Sequence, residues 1–302
     1  MNFAWLDWSN PVAIWWGGLL AVSAVNVAVL LGLCWRFRDR LFAKRTVIIA
    51  EPLLLLAAAY VLGCAFRSVL PRADVQRICL FDTPLSSVMV GRSVATVAEL
   101  AFAAQWAIVL YALGKVAHSD TAKTVAKAVV PLIGLAEICS WYAVITTDFL
   151  GNVLENSLWT LTFLLIGVAL SRLVIRFHGA VQFAIAAAAV GIAGYVAFMA
   201  AVDVPMYFGR WQADLATGKV HLGLIAGLHD LATRWVVTRD IADWRDEIAW
   251  MTLYFSSAVW ASLTLSAFGL VKHLLPRYRV RVPLIRPRAM RRPVAVPVRS
   301  SR

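Results

Sequence analysis

Seven apolar stretches, each long enough to cross a bilayer, follow one another along this chain at residues 12–35, 46–66, 86–114, 125–147, 157–177, 180–202 and 248–275. Such a chain has few choices of fold. In hydrocarbon every backbone N–H and C=O must be satisfied internally, which leaves helices or a closed barrel. The stretches are apolar from end to end, without the alternating ten-residue pattern of barrel strands, so helices are expected. Composition agrees. Of 302 residues, 61% are hydrophobic and 15% charged, against about a quarter charged in soluble chains, and the mean hydropathy is +0.74. The expected fold is an all-α polytopic membrane protein: one seven-helix transmembrane domain over residues 1–275, then a disordered, proline- and arginine-rich tail, 276–302.

Seven spans put the termini on opposite sides of the membrane. With the tail in the cytoplasm, twenty of the 29 Lys and Arg residues fall inside and nine outside. Five of those nine lie in the polar segment 203–247, and long loops weigh little in the positive-inside rule. Among the acids, only Asp39, Glu51 and Asp120 fall inside. An eighth crossing at 220–237 would reverse either the tail or the Arg36–Arg45 loop, and His229, Asp230 and Arg234 make it expensive. A helix lying on the membrane surface or capping the bundle is expected there instead. The orientation is therefore amino terminus outside and carboxyl terminus cytoplasmic, in a cell membrane, with the bacterial inner membrane as the expected location.

Several smaller features fit this frame. Trp5, Trp8, Trp15 and Trp16 read as interfacial anchors. Glu51 opens the second run, where it suits the helix dipole and reaches Lys44 or Arg45. Residues Met1 to Asn10 carry no Lys or Arg, so no cleavable signal peptide is expected. The four cysteines form no CxxC pair, and Cys64 and Cys79 are read as separate thiols. The tail has nine arginines and no acid. It suits anionic lipid head groups, at roughly 1 kcal/mol per charge. Nucleic acid is not an expected partner, because these basic residues belong to no folded reader.

The functional suspects are the charges inside the apolar runs. Arg92 and Glu99 are seven residues apart, which returns to nearly the same side of a helix, with Thr96 between them. Buried at membrane depth they are costly unless they meet each other, water or a ligand. In the fourth run Glu137 and Asp148 share a face with Ser140 and Trp141 beside it. In the fifth, Glu155, Trp159 and Thr162 share a stripe. The last run carries Tyr254, Ser257 and Thr264 along one side. With the orientation above, most of these groups gather in the outer half of the bundle, under the 203–247 segment.

Three chemistries fit such a cluster. Glu99, Glu137 and Glu155 can act as catalytic acids or bases if burial raises their pKa. The same carboxylates with His221 or His229 offer oxygen and nitrogen ligands to a divalent metal, although eight residues separate the histidines and solvated loop residues are the simpler reading. Alternatively, Arg92 and Glu99 form a structural ion pair that fixes helix register. Retinal is not expected, since the last run has no interior lysine for a Schiff base and Lys272 lies at its inner end. There is no HxxxH pair, HExxH, GxSxG, phosphate loop or Rossmann glycine pattern. The first functional reading is a polar pocket that binds or processes a small amphipathic or lipid-like ligand. Its binding residues would be Arg92, Thr96, Ser140, Trp141, Asp148, Trp159 and Tyr254. A transporter or sensor, and a non-catalytic scaffold, are the alternatives.

Overall fold

The computed structural model describes residues 9–41 and 50–271. The expectations for Trp5 and Trp8, the Glu51 pairing with Lys44 or Arg45, Lys272 and the 276–302 tail fall outside the described residues.

Helices dominate. They are α1 (Pro11–Leu41), α2 (Ala50–Val69), α3 (Val88–Val116), α4 (Asp120–Thr146) and α5 (Phe149–Val174). Next, α6 (Gly179–Phe198) runs through a π-helical turn, Met199–Asp203, straight into α7 (Val204–Thr217). A short α8 (Leu224–Thr233) follows, and α9 (Ile241–Leu253) passes through a second π-turn, Tyr254–Ala258, into α10 (Val259–Val271). Among the described residues, seven helices are long and apolar enough to cross a membrane, counting α6–α7 and α9–α10 as one each. The expected all-α bundle with seven such helices is what forms.

The starts of these helices are written in the sequence. Ser87, Ser119, Asp148 and Asp240 each accept a hydrogen bond from a backbone N–H of the first turn of α3, α4, α5 and α9, which satisfies one of the donors a helix leaves free. Thr147 takes a left-handed φ of 61°, so α4 reverses into α5 within two residues. Each helix from α2 to α6 packs on its predecessor, and α10 returns to lie against α1, α2 and α3. Polar glue fixes that return. The Gln105 amide donates to the Leu53 and Ser262 carbonyls at 3.0 and 3.2 Å, and the Ser262 hydroxyl donates back to it at 2.6 Å. Such bonds hold helices together where lipid supplies no hydrophobic drive. Asn26 of α1 donates to the Phe255 carbonyl at 2.9 Å, inside the second π-turn, where an α-helical bond is lost.

Where the sequence ends the sixth span at residue 202, the helix continues to Thr217. Asp203 does not break it, because its polar side chain is turned inward rather than set in a loop. The segment read as an outer loop thus begins with nearly four more turns of helix, packed on α5.

One end of the bundle, the end bearing Asn10, is closed by a small cap. Strands β1 (Arg72–Ala73) and β2 (Ile78–Cys79) pair antiparallel, and β3 (Val236–Val237) adds parallel to β2. Arg77 is the rivet, only 1% exposed. Its guanidinium donates to the Asp74 and Val144 carbonyls at 2.6 Å each and to the Asp230 carboxylate of α8 at 2.8 Å. Cys64 and Cys79 are separate thiols, and burial pushes the Cys79 thiol up. The helix expected between 220 and 237 is α8, seated on α4. Gly227 makes the seat possible, since a Cβ there would fall 2.1 Å from the Ile145 carbonyl oxygen.

Asp230 gives the cap a pH dependence. Burial pushes its carboxyl up, but hydrogen bonds from Arg234 and Arg77 outweigh this and hold it below the ordinary value. A lowered folded-state pKa stabilises the cap above the unfolded value of about 3.9 and loses that contribution as pH falls through the folded value. A spin label at the exposed Ala226 should therefore be immobile at pH 7 and become mobile in that acid range. In Asp230→Asn it should be mobile at both. Equal mobility of wild type at the two pH values would contradict this anchoring.

Candidate functional site

The charged groups singled out from three separate runs meet at one point. From α3, Arg92 projects between α4 and α5. Its Nη2 donates to Glu99 Oε2 at 2.9 Å and Glu137 Oε2 at 2.7 Å, and its Nη1 lies 3.5 Å from Glu155 Oε1. All four residues are 3–7% exposed. By helix rise, they lie roughly 6 to 17 Å below the capped end. Asn152, one turn before Glu155, donates to Glu155 Oε2 at 3.1 Å. One guanidinium thus serves three carboxylates.

Thr96 and Trp141 belong to this cluster but stand behind it. The Thr96 hydroxyl donates to Glu137 Oε2 at 2.6 Å, and the Trp141 indole donates to the Thr96 oxygen at 3.1 Å. Together they fix the Glu137 oxygen that Arg92 also binds.

In front of the cluster lies a cavity of about 730 Å³. Arg92, Glu99, Glu155, Ser140, Trp159 and Tyr254 line it. Glu137, Thr96, Trp141 and Asp148 do not. Asp148 instead caps α5, accepting from Leu150 N at 2.9 Å and from the Tyr142 hydroxyl at 3.1 Å. His221 and His229 also stand outside the lining. Among the described residues, no group of three His, Cys, Asp or Glu is arranged to hold a metal ion. The metal set considered from the sequence is therefore not assembled.

The cavity has two chemically different ends. Toward the cap its wall includes Arg67, Asp74, Gln76, Asp203 and Glu247. Glu247, 1% exposed, receives Arg210 Nη1 at 3.0 Å, the Gln76 amide at 2.8 Å and the Trp250 indole at 2.6 Å. The Arg210–Glu247 pair also clasps α7 to α9. Away from the cap the wall becomes aromatic and aliphatic. Phe102 stacks on Tyr60 at 4.6 Å between centroids, Phe163 lies 5.8 Å from Trp159 and 4.9 Å from Tyr195, and Trp106 is edge-on to Phe163 at 5.9 Å. From Asp203 down α6 to Ala184, also in the wall, the helix rise is roughly 28 Å, close to the thickness of a bilayer core.

The flank between α6 and α10 is sparsely packed. While α6 rests on α5, α10 rests on α1, α2 and α3, and no extensive contact joins the two. Ala184, Ala187, Gly191 and Gly194 of α6 are exposed and line the cavity there. Both helices flanking this gap carry their π-turns in the cavity wall, at Met199 and Asp203 on one side and at Tyr254, Ser257 and Ala258 on the other. Such turns collect at functional sites because they re-aim side chains that regular α-helix would point elsewhere.

Sequence reasoning missed several wall residues. Tyr60, Phe102 and Phe163 sit in runs where an aromatic ring carries no signal of its own. Asn152 precedes the fifth apolar run, 157–177, yet it lies in the first turn of α5. Glu247 was placed at the end of a polar loop, yet it is buried in α9.

The fold defines an all-α, multi-pass membrane protein with seven apolar helices. No protein-family model matches the sequence, and comparisons with curated proteins and with solved structures give no match either.

Proposed function

We propose that this protein binds one amphipathic, lipid-like molecule in the cavity beside Arg92. The observation that carries the reading is the polarity gradient of a single cavity: charged and amide groups at the capped end, then an aromatic wall, with the apolar lining reaching Ala184 roughly 28 Å away. Pockets of 300–1,000 Å³ with an apolar lining and a few convergent polar groups are typical of small-molecule sites. The small residues of α6 facing the gap toward α10 support entry from the side, from the bilayer itself.

The basic residues support an orientation. Lys115, Lys123, Lys127, Arg172 and Arg176 lie at the end opposite the cap, as expected of a cytoplasmic face. In this reading the amino terminus and the polar mouth of the cavity face outward, the tail is cytoplasmic, and the membrane is a bacterial inner membrane. The nine tail arginines then meet anionic lipid head groups, and α8 lays its exposed Leu224 and Ile225 on the outer surface of the bilayer.

The test is to fill the apolar end. In calorimetric titration in neutral detergent, wild-type protein should bind monopalmitoylglycerol at about one per chain. Ala188→Trp, placed in the cavity wall, should weaken this at least tenfold while leaving the melting temperature unchanged. Equal binding by the two proteins would place the amphiphile elsewhere and defeat the proposal.

A further inference from the structure

The charge of the cavity wall points to a ligand class. Resting on the binding reading above, we infer that the molecule it holds carries a positively charged, ammonium-type head. Two arginines line the cavity, Arg67 and Arg92, against five carboxylates, Asp74, Glu99, Glu155, Asp203 and Glu247. Each arginine already has a carboxylate partner. Arg67 lies 3.7 Å from Asp74 and is stacked between the Trp250 and Phe255 rings, with its Cζ 5.8 and 5.9 Å from their centroids. Arg92 is occupied by Glu99, Glu137 and Glu155. An anionic head at either arginine would meet these carboxylates.

Among the carboxylates, Glu247 is held by Arg210 and Asp74 by Arg67 and Arg72, which leaves Asp203 unfilled and Glu99 and Glu155 sharing Arg92 with Glu137. Asp203 is 6% exposed, lines the cavity from the first π-turn, and makes no hydrogen bond or ion pair among the described residues. It does not stand alone in the space: Glu99, Glu155 and Tyr195 line the same cavity. A buried carboxylate without a partner is expensive, and three around a single guanidinium leave negative charge uncompensated. A cationic head at the polar end of the cavity supplies balancing charge directly beside Asp203. The faces of Tyr195 and Tyr254, also in the wall, add the cation–π attraction that aromatic side chains give to alkylammonium groups. The chain of such a molecule then lies along Phe102, Phe163 and Trp159.

The inference is tested by titrating four sixteen-carbon probes into the purified protein in neutral detergent, read by calorimetry. These are hexadecylamine, hexadecyltrimethylammonium, palmitate and neutral monopalmitoylglycerol. At least one of the two cations should bind ten or more times as tightly as palmitate and as monopalmitoylglycerol. Asp203→Asn, which removes charge without removing a partner, should reduce that cation's affinity at least tenfold. Its binding of monopalmitoylglycerol should stay unchanged, which also shows that the variant is folded. Palmitate binding as tightly as the cations, or a cation affinity indifferent to Asp203→Asn, overturns the inference while leaving the amphiphile reading intact. If none of the four probes binds, the amphiphile reading falls with it.

Discussion

Arg92→Met is expected to lower the unfolding free energy of the detergent-solubilised protein by about 3–5 kcal/mol, the range for removing one partner from a buried ion pair. Methionine keeps most of the volume, so the loss is electrostatic rather than a packing defect. Glu99, Glu137 and Glu155, each 7% exposed or less, would then face one another with no cation. Part of the burden is shared by Thr96 and Asn152, which continue to donate to Glu137 and Glu155. The expected effect is therefore conditional on the carboxylates, and that gives a rescue. Adding Glu99→Gln and Glu137→Gln to Arg92→Met removes two negative charges at nearly constant shape and should recover at least half of the lost stability. Denaturant unfolding followed by circular dichroism measures both. A single variant as stable as wild type would mean the three acids are already neutral and that Arg92 does not clamp them.

Gly91→Ala should be nearly as damaging, at about 3 kcal/mol, for a steric reason. An added Cβ at Gly91 would coincide with the Arg72 guanidinium, 1.3 Å from Cζ. That guanidinium is 1% exposed, donates to the Ser87 carbonyl at 2.7 Å and to Leu85 at 3.3 Å, and lies 3.3 Å from Asp74. Overpacking costs about 1–3 kcal/mol, and expelling the guanidinium leaves the carbonyls it served unpaired as well, at about 1–3 kcal/mol each. The shorter side chain of Gly91→Ala/Arg72→Ala should remove the clash and return part of the loss. If Gly91→Ala melts with wild type, the cap is not fixed through Arg72.

These two neighbours, Gly91 and Arg92, show how far the chain could be read before folding. The Arg92, Thr96 and Glu99 stripe was legible because helical periodicity is local and a charge in an apolar run is expensive wherever the helix points. Glu137 and Glu155 were legible for the same reason, as costly residues at comparable depth on the next two helices. Gly91 was not, because its partner Arg72 lies in β1, across a tertiary contact that no periodicity reports. Asp148 misled for a local reason. It shares a helical face with Glu137 by spacing, but the chain turns at Thr147 before that face can continue, and its carboxylate is spent on capping α5. The cavity itself was half legible. Its polar end follows from charges in the spans, whereas its aromatic wall, apart from Trp159 and Tyr254, is built from rings indistinguishable in sequence from ordinary lipid-facing ones. Asp203 read as the first residue of a loop because a charge usually ends an apolar run, and only the continuing helix turns it inward.

The central claim, that the space beside Arg92 is a ligand site rather than a void in a structural clamp, is tested most directly by native mass spectrometry of the protein released from nanodiscs cut from its own membrane. The account predicts one amphiphile retained per chain, lost in Ala188→Trp and depleted in Asp203→Asn. Wild-type protein that emerges at the bare mass of the polypeptide, or that retains the same lipids in the same amounts as Ala188→Trp, would contradict it.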